Sequence, residues 1–236
     1  MKNIIFLFIL LTTNAFAEPI RLINVLGEAS KSFEPDMAHV NLTLWSKAEN
    51  AKMAQSLNQI QYEQLKKTID THAILSSEIQ TTGYELNPDY FYDPKTTSNK
   101  IVGYMVNQNI QITIKNSKKV GKFLDDLVID SKNLKTGINI QNIIWDLEKR
   151  DEISKSLLID AVKNAFEKVQ VLAKASQVKI KNLYQLTPQG ASAPLPPGPR
   201  ESMMLKSTAG LMAQATSLFT GEIKVVEHVA VSYEIE

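Results

Sequence analysis

Residues 151–177, DEISKSLLIDAVKNAFEKVQVLAKASQ, decide how the rest of the chain is read. Ile153, Leu157, Leu158, Ala161, Val162, Ala165, Phe166, Val169, Leu172 and Ala173 recur at three- and four-residue spacing. That spacing predicts an amphipathic helix with one continuous apolar stripe. Its other face carries Lys155, Asp160, Lys163, Asn164, Lys168 and Gln170. A stripe of this kind needs a sheet to bury it. The flanking stretches Ile138–Leu147 and Val178–Leu186 read as strands that supply one.

Working outward, Ile20–Ala29 reads as a first strand, with Gly27 at a bulge or a close approach. Ser30–Pro35 reads as a turn. Ala38–Ala48 alternates strictly, with Val40, Leu42 and Leu44 on one face and His39, Asn41, Thr43 and Trp45 on the other. Glu49–Ala73 is the first long helix in chain order, with a rougher stripe of Ala54, Leu57, Ile60, Leu65 and Ile69. Ser77–Leu86 and Ile101–Ile114 read as the arms of a long hairpin, with Ile79, Thr81 and Tyr84 inward. Between them, Asn87–Lys100 has turn chemistry and carries Tyr90, Phe91 and Tyr92 at the tip. Ser117 is placed to cap a short helix over Lys118–Ile129, and Ser131–Gly137 reads as a turn. Pro188–Pro199 is a Pro/Gly/Ala break that continues into a Met-bearing segment, and Gly221–Ile235 closes the chain as a strand. Strand, long helix and strand follow one another twice, over Ala38–Leu86 and Ile138–Leu186. The predicted class is α+β: mostly antiparallel sheets with two long helices in repeated strand–helix–strand units, plus a short third helix.

The N-terminus points to export. Met1-Lys2-Asn3 is followed by the apolar run Ile4–Leu11 and by Ala15-Phe16-Ala17, a small-x-small pattern. Residues 1–17 therefore read as a signal peptide cleaved between Ala17 and Glu18, leaving one domain over 18–236 with an insertion at 188–219. The run is too short to span about 30 Å of hydrocarbon as a helix, and no later segment is long and apolar enough to do so. Cleavage removes Lys2 and takes Lys+Arg from 26 to 25 against 25 acidic residues. A neutral chain without a local basic patch argues against nucleic-acid binding. The chain has no cysteine, which removes disulfides, thiolate catalysis and Cys-type zinc sites.

Catalytic signatures are missing from the sequence. The three histidines, His39, His72 and His228, have no metal-ligand spacing and no HExxH. His39 and His228 fall on strands and read as outward-facing structural residues. Neither GxGxxG, GxxxxGK[ST] nor GxSxG occurs. Asp125 and Asp126 are adjacent on a helix, so they do not face each other as a catalytic pair would. Two features stand out instead. Tyr90-Phe91-Tyr92 is either a contact surface or a tip folded back on its own hairpin, since Tyr and Phe favour interfaces. Met203, Met204 and Met212 are either a pliable or oxidisable contact surface or ordinary methionines of a surface loop or short helix.

The ordered pieces resemble one family. Gly27-Glu28-Ala29 precedes Pro35-Asp36-Met37-Ala38-His39-Val40, and the first long helix opens around Ala48, Ala51 and Ala54. Ile79-Gln80-Thr81 leads to Leu86-Asn87-Pro88-Asp89-Tyr90, and Ile101-Val102-Gly103-Tyr104 opens the returning strand. Ala161, Ala165 and Leu172-Ala173 mark the second long helix. Gly221-Glu222-Ile223 and Val231-Ser232-Tyr233-Glu234 bound the last strand. Together they resemble SIMPL-domain proteins, a family that includes exported periplasmic immunogenic proteins and a relative linked to oxidative-stress defence. One departure is visible: members usually place Gly after the second long helix, where this chain has Ser176-Gln177, so that helix is expected to end differently.

The resemblance implies an α+β fold, export, no known enzymatic activity, no defined catalytic residues and, in some relatives, ring-like oligomers. The expected function is a non-enzymatic cell-envelope protein, without cofactor or metal, acting through homo-oligomer or other envelope-protein contacts and linked to stress defence. The alternatives are a small-ligand or oxidant-protective module using the methionines or a helix–sheet groove, and a hydrolase whose site assembles only in three dimensions.

Overall fold

The structure is a computed structural model that describes residues 20–127, 135–189 and 216–236. The signal-like segment, Met203, Met204 and Met212, and most of the 188–219 insertion lie outside the described residues. Ten principal elements follow in order: β1 (Leu22–Phe33), β2 (Met37–Ala48), α1 (Ala51–Thr71), β3 (Ile79–Asp93), β4 (Ser98–Ile114), α2 (Val120–Leu127), β5 (Thr136–Asp146), α3 (Arg150–Ala175), β6 (Ile180–Gln189) and β7 (Ile223–Ile235). They form a four-stranded sheet in the order β3-β4-β2-β5 and a three-stranded sheet in the order β1-β7-β6. The fold is α+β. The two strand–helix–strand segments are not equivalent. β2 and β3 share a sheet, whereas β5 and β6 belong to different sheets.

The described residues divide into two compact units, one of residues 30–127, 135–157 and 216–226, the other of residues 20–29, 158–189 and 227–236. In the larger unit the strict alternation of β2 has its expected result. Ala38, Val40, Leu42 and Leu44 are buried, and Leu65 and Ile69 of α1 join Val120, Phe123, Leu124 and Leu127 of α2 over them. Both helices thus cover one face of the four-stranded sheet. The stripe of α1 looked rough because two buried positions on it are amides. Asn58 donates to the Leu44 carbonyl at 3.3 Å. The Gln61 amide reaches the two strands beneath, and oriented to satisfy both it donates to the Trp45 carbonyl at 2.9 Å and accepts from the Gly137 N–H at 2.8 Å. Ile60, read as part of the stripe, is exposed.

Three sequence boundaries shift. β1 runs on to Phe33, so the turn after it is shorter than the expected Ser30–Pro35. Asn116, not Ser117, caps the segment that leads into α2, accepting from the Lys118 N–H at 3.1 Å. β3 extends through Asn87–Asp93, stretches that read as turn; only the residues between Asp93 and Ser98 connect the arms. Pro88 is tolerated there because β3 is an edge strand, where a missing N–H costs no ladder bond. Pro188 lies likewise on β6, at the edge of the other sheet.

The smaller unit is built differently. Ala161 and Ala165 of α3 pack with Val229 and Val231 of β7 and with Val25 and Ala29 of β1. Gly27 is the expected close approach: a Cβ there would lie 2.1 Å from the Ala161 carbonyl oxygen and 2.7 Å from the Ala165 Cβ. Of the predicted stripe, Ala161, Ala165, Val169 and Ala173 are buried in this unit, every fourth residue, whereas Phe166 is 40% exposed and Leu172 is exposed. The stripe is therefore narrower than its sequence suggests. Both long helices end in the same left-handed motif without glycine. Ala73 (φ 54°) and Gln177 (φ 57°) occupy the left-handed position. Ile74 N–H bonds the Ile69 carbonyl at 3.2 Å, and Val178 N–H bonds the Ala173 carbonyl at 3.0 Å. The expectation that α3 ends differently for want of glycine is thus corrected.

Candidate functional site

β2 pairs with β4 only as far as Ala48 opposite Tyr104. Beyond that point β3 and β4 continue as a two-stranded ribbon, closed by the pair Asp93 and Ser98. Tyr90, Phe91 and Tyr92 lie on the β3 arm of this ribbon, 58%, 59% and 57% exposed. Ile101 stands opposite Tyr90 and is exposed as well, as is Val102. The aromatics do not fold back onto a core. An ion pair stands near each end of the ribbon: Lys47 with Asp89 at 3.1 Å and Lys100 with Asp93 at 2.6 Å. Lys100 and the Lys95 N–H hold the Asp93 carboxyl below the ordinary carboxylate range.

The histidines stay apart in sequence and in role. His39 Nδ1 lies 3.0 Å from Thr113 Oγ1, and its Nε2 lies 3.7 Å from Asp146. Hydroxyl, imidazole and carboxylate stand in series, but the second gap is longer than a hydrogen bond. Asp146 already accepts from Arg150 Nε and from the Leu147 N–H, both at 2.7 Å. His72 caps α1, meets Asp126 at 2.8 Å and stands edge-on to Phe123. Asp125 instead accepts from the backbone N–H and hydroxyl of Thr216, which lower its pKa. Asp125 and Asp126 thus serve different neighbours. His228 Nδ1 is buried and has no hydrogen-bond partner among the described residues. Among the described residues no group of three or more His, Cys, Asp or Glu could hold a metal ion.

One arrangement was not singled out from sequence. The face of the four-stranded sheet opposite α1 and α2 carries His39, Asn41, Thr43 and Trp45. Their neighbours on β4 are Thr113, Gln111, Asn109 and Asn107, and on β5 they include Asn142 and Asn139. These side chains bond one another. Asn41 donates to Asn142 at 2.7 Å and accepts from Gln111 at 3.1 Å. Thr43 donates to Asn109 at 2.7 Å and accepts from Gln141 at 2.7 Å. Gln141 reaches this face because the β2–β5 register shifts at Asn41/Leu42. The signal in the sequence was the recurrence of amides at every second position of β4, which shows only once β2, β4 and β5 are known to be neighbours.

In the smaller unit, Val25, Leu26, Asn164, Glu167, Lys168, Val171 and Leu172 line an open hollow of about 500 Å³ between β1 and α3. Among the described residues no helix is long and apolar enough to cross a membrane.

The SIMPL family, described as "Protein of unknown function (DUF541)", matches residues 23–233. The chain belongs to the SIMPL family. Two relatives are similar to this SIMPL chain, each called "26 kDa periplasmic immunogenic protein", from Brucella abortus (strain S19) and Brucella melitensis biotype 1. Each is 27% identical over 173 residues, which is 70% of this chain and 65% of the relative. The match thus spans just under two thirds of those relatives' length.

Proposed function

We propose that this chain is an exported, non-enzymatic protein of the cell envelope that acts through protein contacts, with self-association through the β3–β4 ribbon. The observation that carries the reading is the cluster of Tyr90, Phe91, Tyr92 and Ile101, all more than half exposed at the end of a ribbon outside the sheet. Aromatic side chains in such a place offer large contact area at low conformational cost. The hydrophobic start of the sequence and the periplasmic relatives support export. Light scattering of residues 18–236 tests the assembly. The expected result is a particle larger than a monomer that shrinks when Tyr90→Ser and Phe91→Ser are combined. A strict monomer at high concentration, unchanged by those substitutions, overturns it. The link to stress defence rests on the family resemblance, and survival of a deletion strain under oxidant challenge tests it.

A second reading, a small-ligand module, is favoured by the apolar hollow between β1 and α3. A thermal shift with apolar ligands, lost on Val171→Asp, is its expected signature. Met203, Met204 and Met212 remain part of the oxidant-protective version, and changing all three to Leu is its test. The hydrolase reading has least support, because Asp146 is engaged by Arg150 and stands 3.7 Å from His39.

A further inference from the structure

We infer that the open face of the four-stranded sheet, centred on Asn41, Thr43 and Trp45, binds a neutral, hydroxyl-rich glycan chain. Three rows cross β5, β2 and β4 there: Asn142-Asn41-Gln111, Asn139-Thr43-Asn109 and Gly137-Trp45-Asn107. On these three strands none contains a charged side chain; on β3 the third row continues to Glu85, opposite Asn107. Asparagine is depleted in strands, so a sheet centre that collects Asn41, Asn107, Asn109, Asn139 and Asn142 gives up intrinsic β-stability. A face of that composition is a local cost of the kind that functional sites carry.

The amides are also held in place. The bonds among Asn41, Asn142, Gln111, Thr43, Asn109 and Gln141 fix their side chains before any ligand arrives. Each Asn or Gln offers two donors and two acceptor lone pairs, and the network uses only part of them. Among the described residues, the Asn142 nitrogen and the Gln111 and Gln141 carbonyls take no part in the network and keep capacity for a ligand. Trp45 completes the arrangement. A Cβ on Gly137 would come within 2.6–2.7 Å of its indole Nε1, Cε2 and Cζ2, so glycine there lets the ring lie down against β5. Gln61 clamps the Trp45 and Gly137 backbones together from the covered side.

A flat aromatic beside rows of fixed neutral amides suits a sugar chain. The C–H face of a pyranose stacks on the indole, and vicinal hydroxyls pair with amides as donor and acceptor at once. A nucleic acid would want cations here, and the rows contain none. A protein partner would want an apolar centre, whereas Trp45 is the sole large apolar group in the three rows. The chemistry therefore selects a neutral polyol, either a plain hydroxyl polymer or one with acetamido substituents.

Proton–nitrogen correlation spectra of residues 18–236, titrated with chitotetraose and separately with cellotetraose, test this. The chain has 2 tryptophans, so two indole N–H signals report. Trp145 packs against the core and serves as the internal control. The expected result is a shift of the Trp45 indole and of the amide side-chain signals with at least one sugar, while the Trp145 signal stays. Preference for chitotetraose assigns acetamido recognition, and equal response assigns hydroxyls alone. Trp45→Ala should abolish the response, and Asn142→Ala, at an exposed edge position, should weaken affinity about tenfold with the Trp145 signal unchanged. No shift with either sugar at tens of millimolar overturns the inference. So does a response that survives both substitutions, or an Asn142→Ala variant that changes particle mass without touching sugar binding, which would give the face to a second copy of the chain.

Discussion

The two units solve the same problem, a helix on a sheet, with opposite materials. In the larger one, α1 and α2 bring Leu65, Ile69, Phe123 and Leu127 against Val40, Leu42, Ile110 and Ile112. In the smaller one, α3 brings Ala161 and Ala165 against Gly27, Val229 and Val231. Small residues let the α3 backbone come close to the sheet. A close helix touches along a narrow line, so side chains on its flanks, such as Phe166 and Leu172, meet the sheet only at its margin and stay partly exposed. The cleaner sequence stripe thus belongs to the thinner core. Periodicity reports which way residues point; side-chain volume decides how much apolar area they bury.

Paired truncations would break or sharpen that contrast. Phe123→Ala removes a ring that is fully buried in the larger unit and should destabilise by about 3–5 kcal/mol in a urea denaturation. Phe166→Ala, in the predicted stripe of α3, should cost no more than about 1.5 kcal/mol, since the ring keeps only partial cover and a tilted contact with Tyr233. Equal losses would mean that α3 is buried by something further. Next in size, Gly27→Ala should destabilise by about 1–3 kcal/mol by thermal unfolding, because the new methyl meets backbone and the chain itself must shift. A neutral result would show that the small unit is not close-packed. Smallest, Ala73→Gly and Gln177→Gly should each stabilise by about 1 kcal/mol, since both residues hold a left-handed φ that glycine adopts freely. Here the two units should behave alike, as the helix ends are built alike.

Much of the fold was legible because β2 alternates without a fault and the long helices keep their period. The ribbon was less so. Asn87, Pro88, Asp89 and Asp93 are turn residues by propensity, yet an edge strand outside the main sheet tolerates them. The strand–helix–strand repeat misled because order in sequence does not say which sheet a strand rejoins; β6 pairs with β7 rather than with a neighbour of β5. The three consecutive aromatics were visible in the sequence, but not their place: they stand on the β3 arm and not at the tip, which lies between Asp93 and Ser98. The amide face was not visible, because its rows join positions near 41, 109 and 141, which become neighbours only through the pairing of three strands.

The three-stranded sheet has a consequence in time as well as space. Its central strand, β7, follows its other two strands in sequence, while its edge strand β1 precedes them. β1 therefore has its hydrogen-bonding partner at the far end of the described elements, whereas β3 and β4 can zip as soon as their short connection is made. Closing so long a loop costs entropy that is repaid only once β7 is in place. The smaller unit is accordingly the part that completes last, and a chain halted before Ile223 holds an unpaired first strand however well its larger unit has folded.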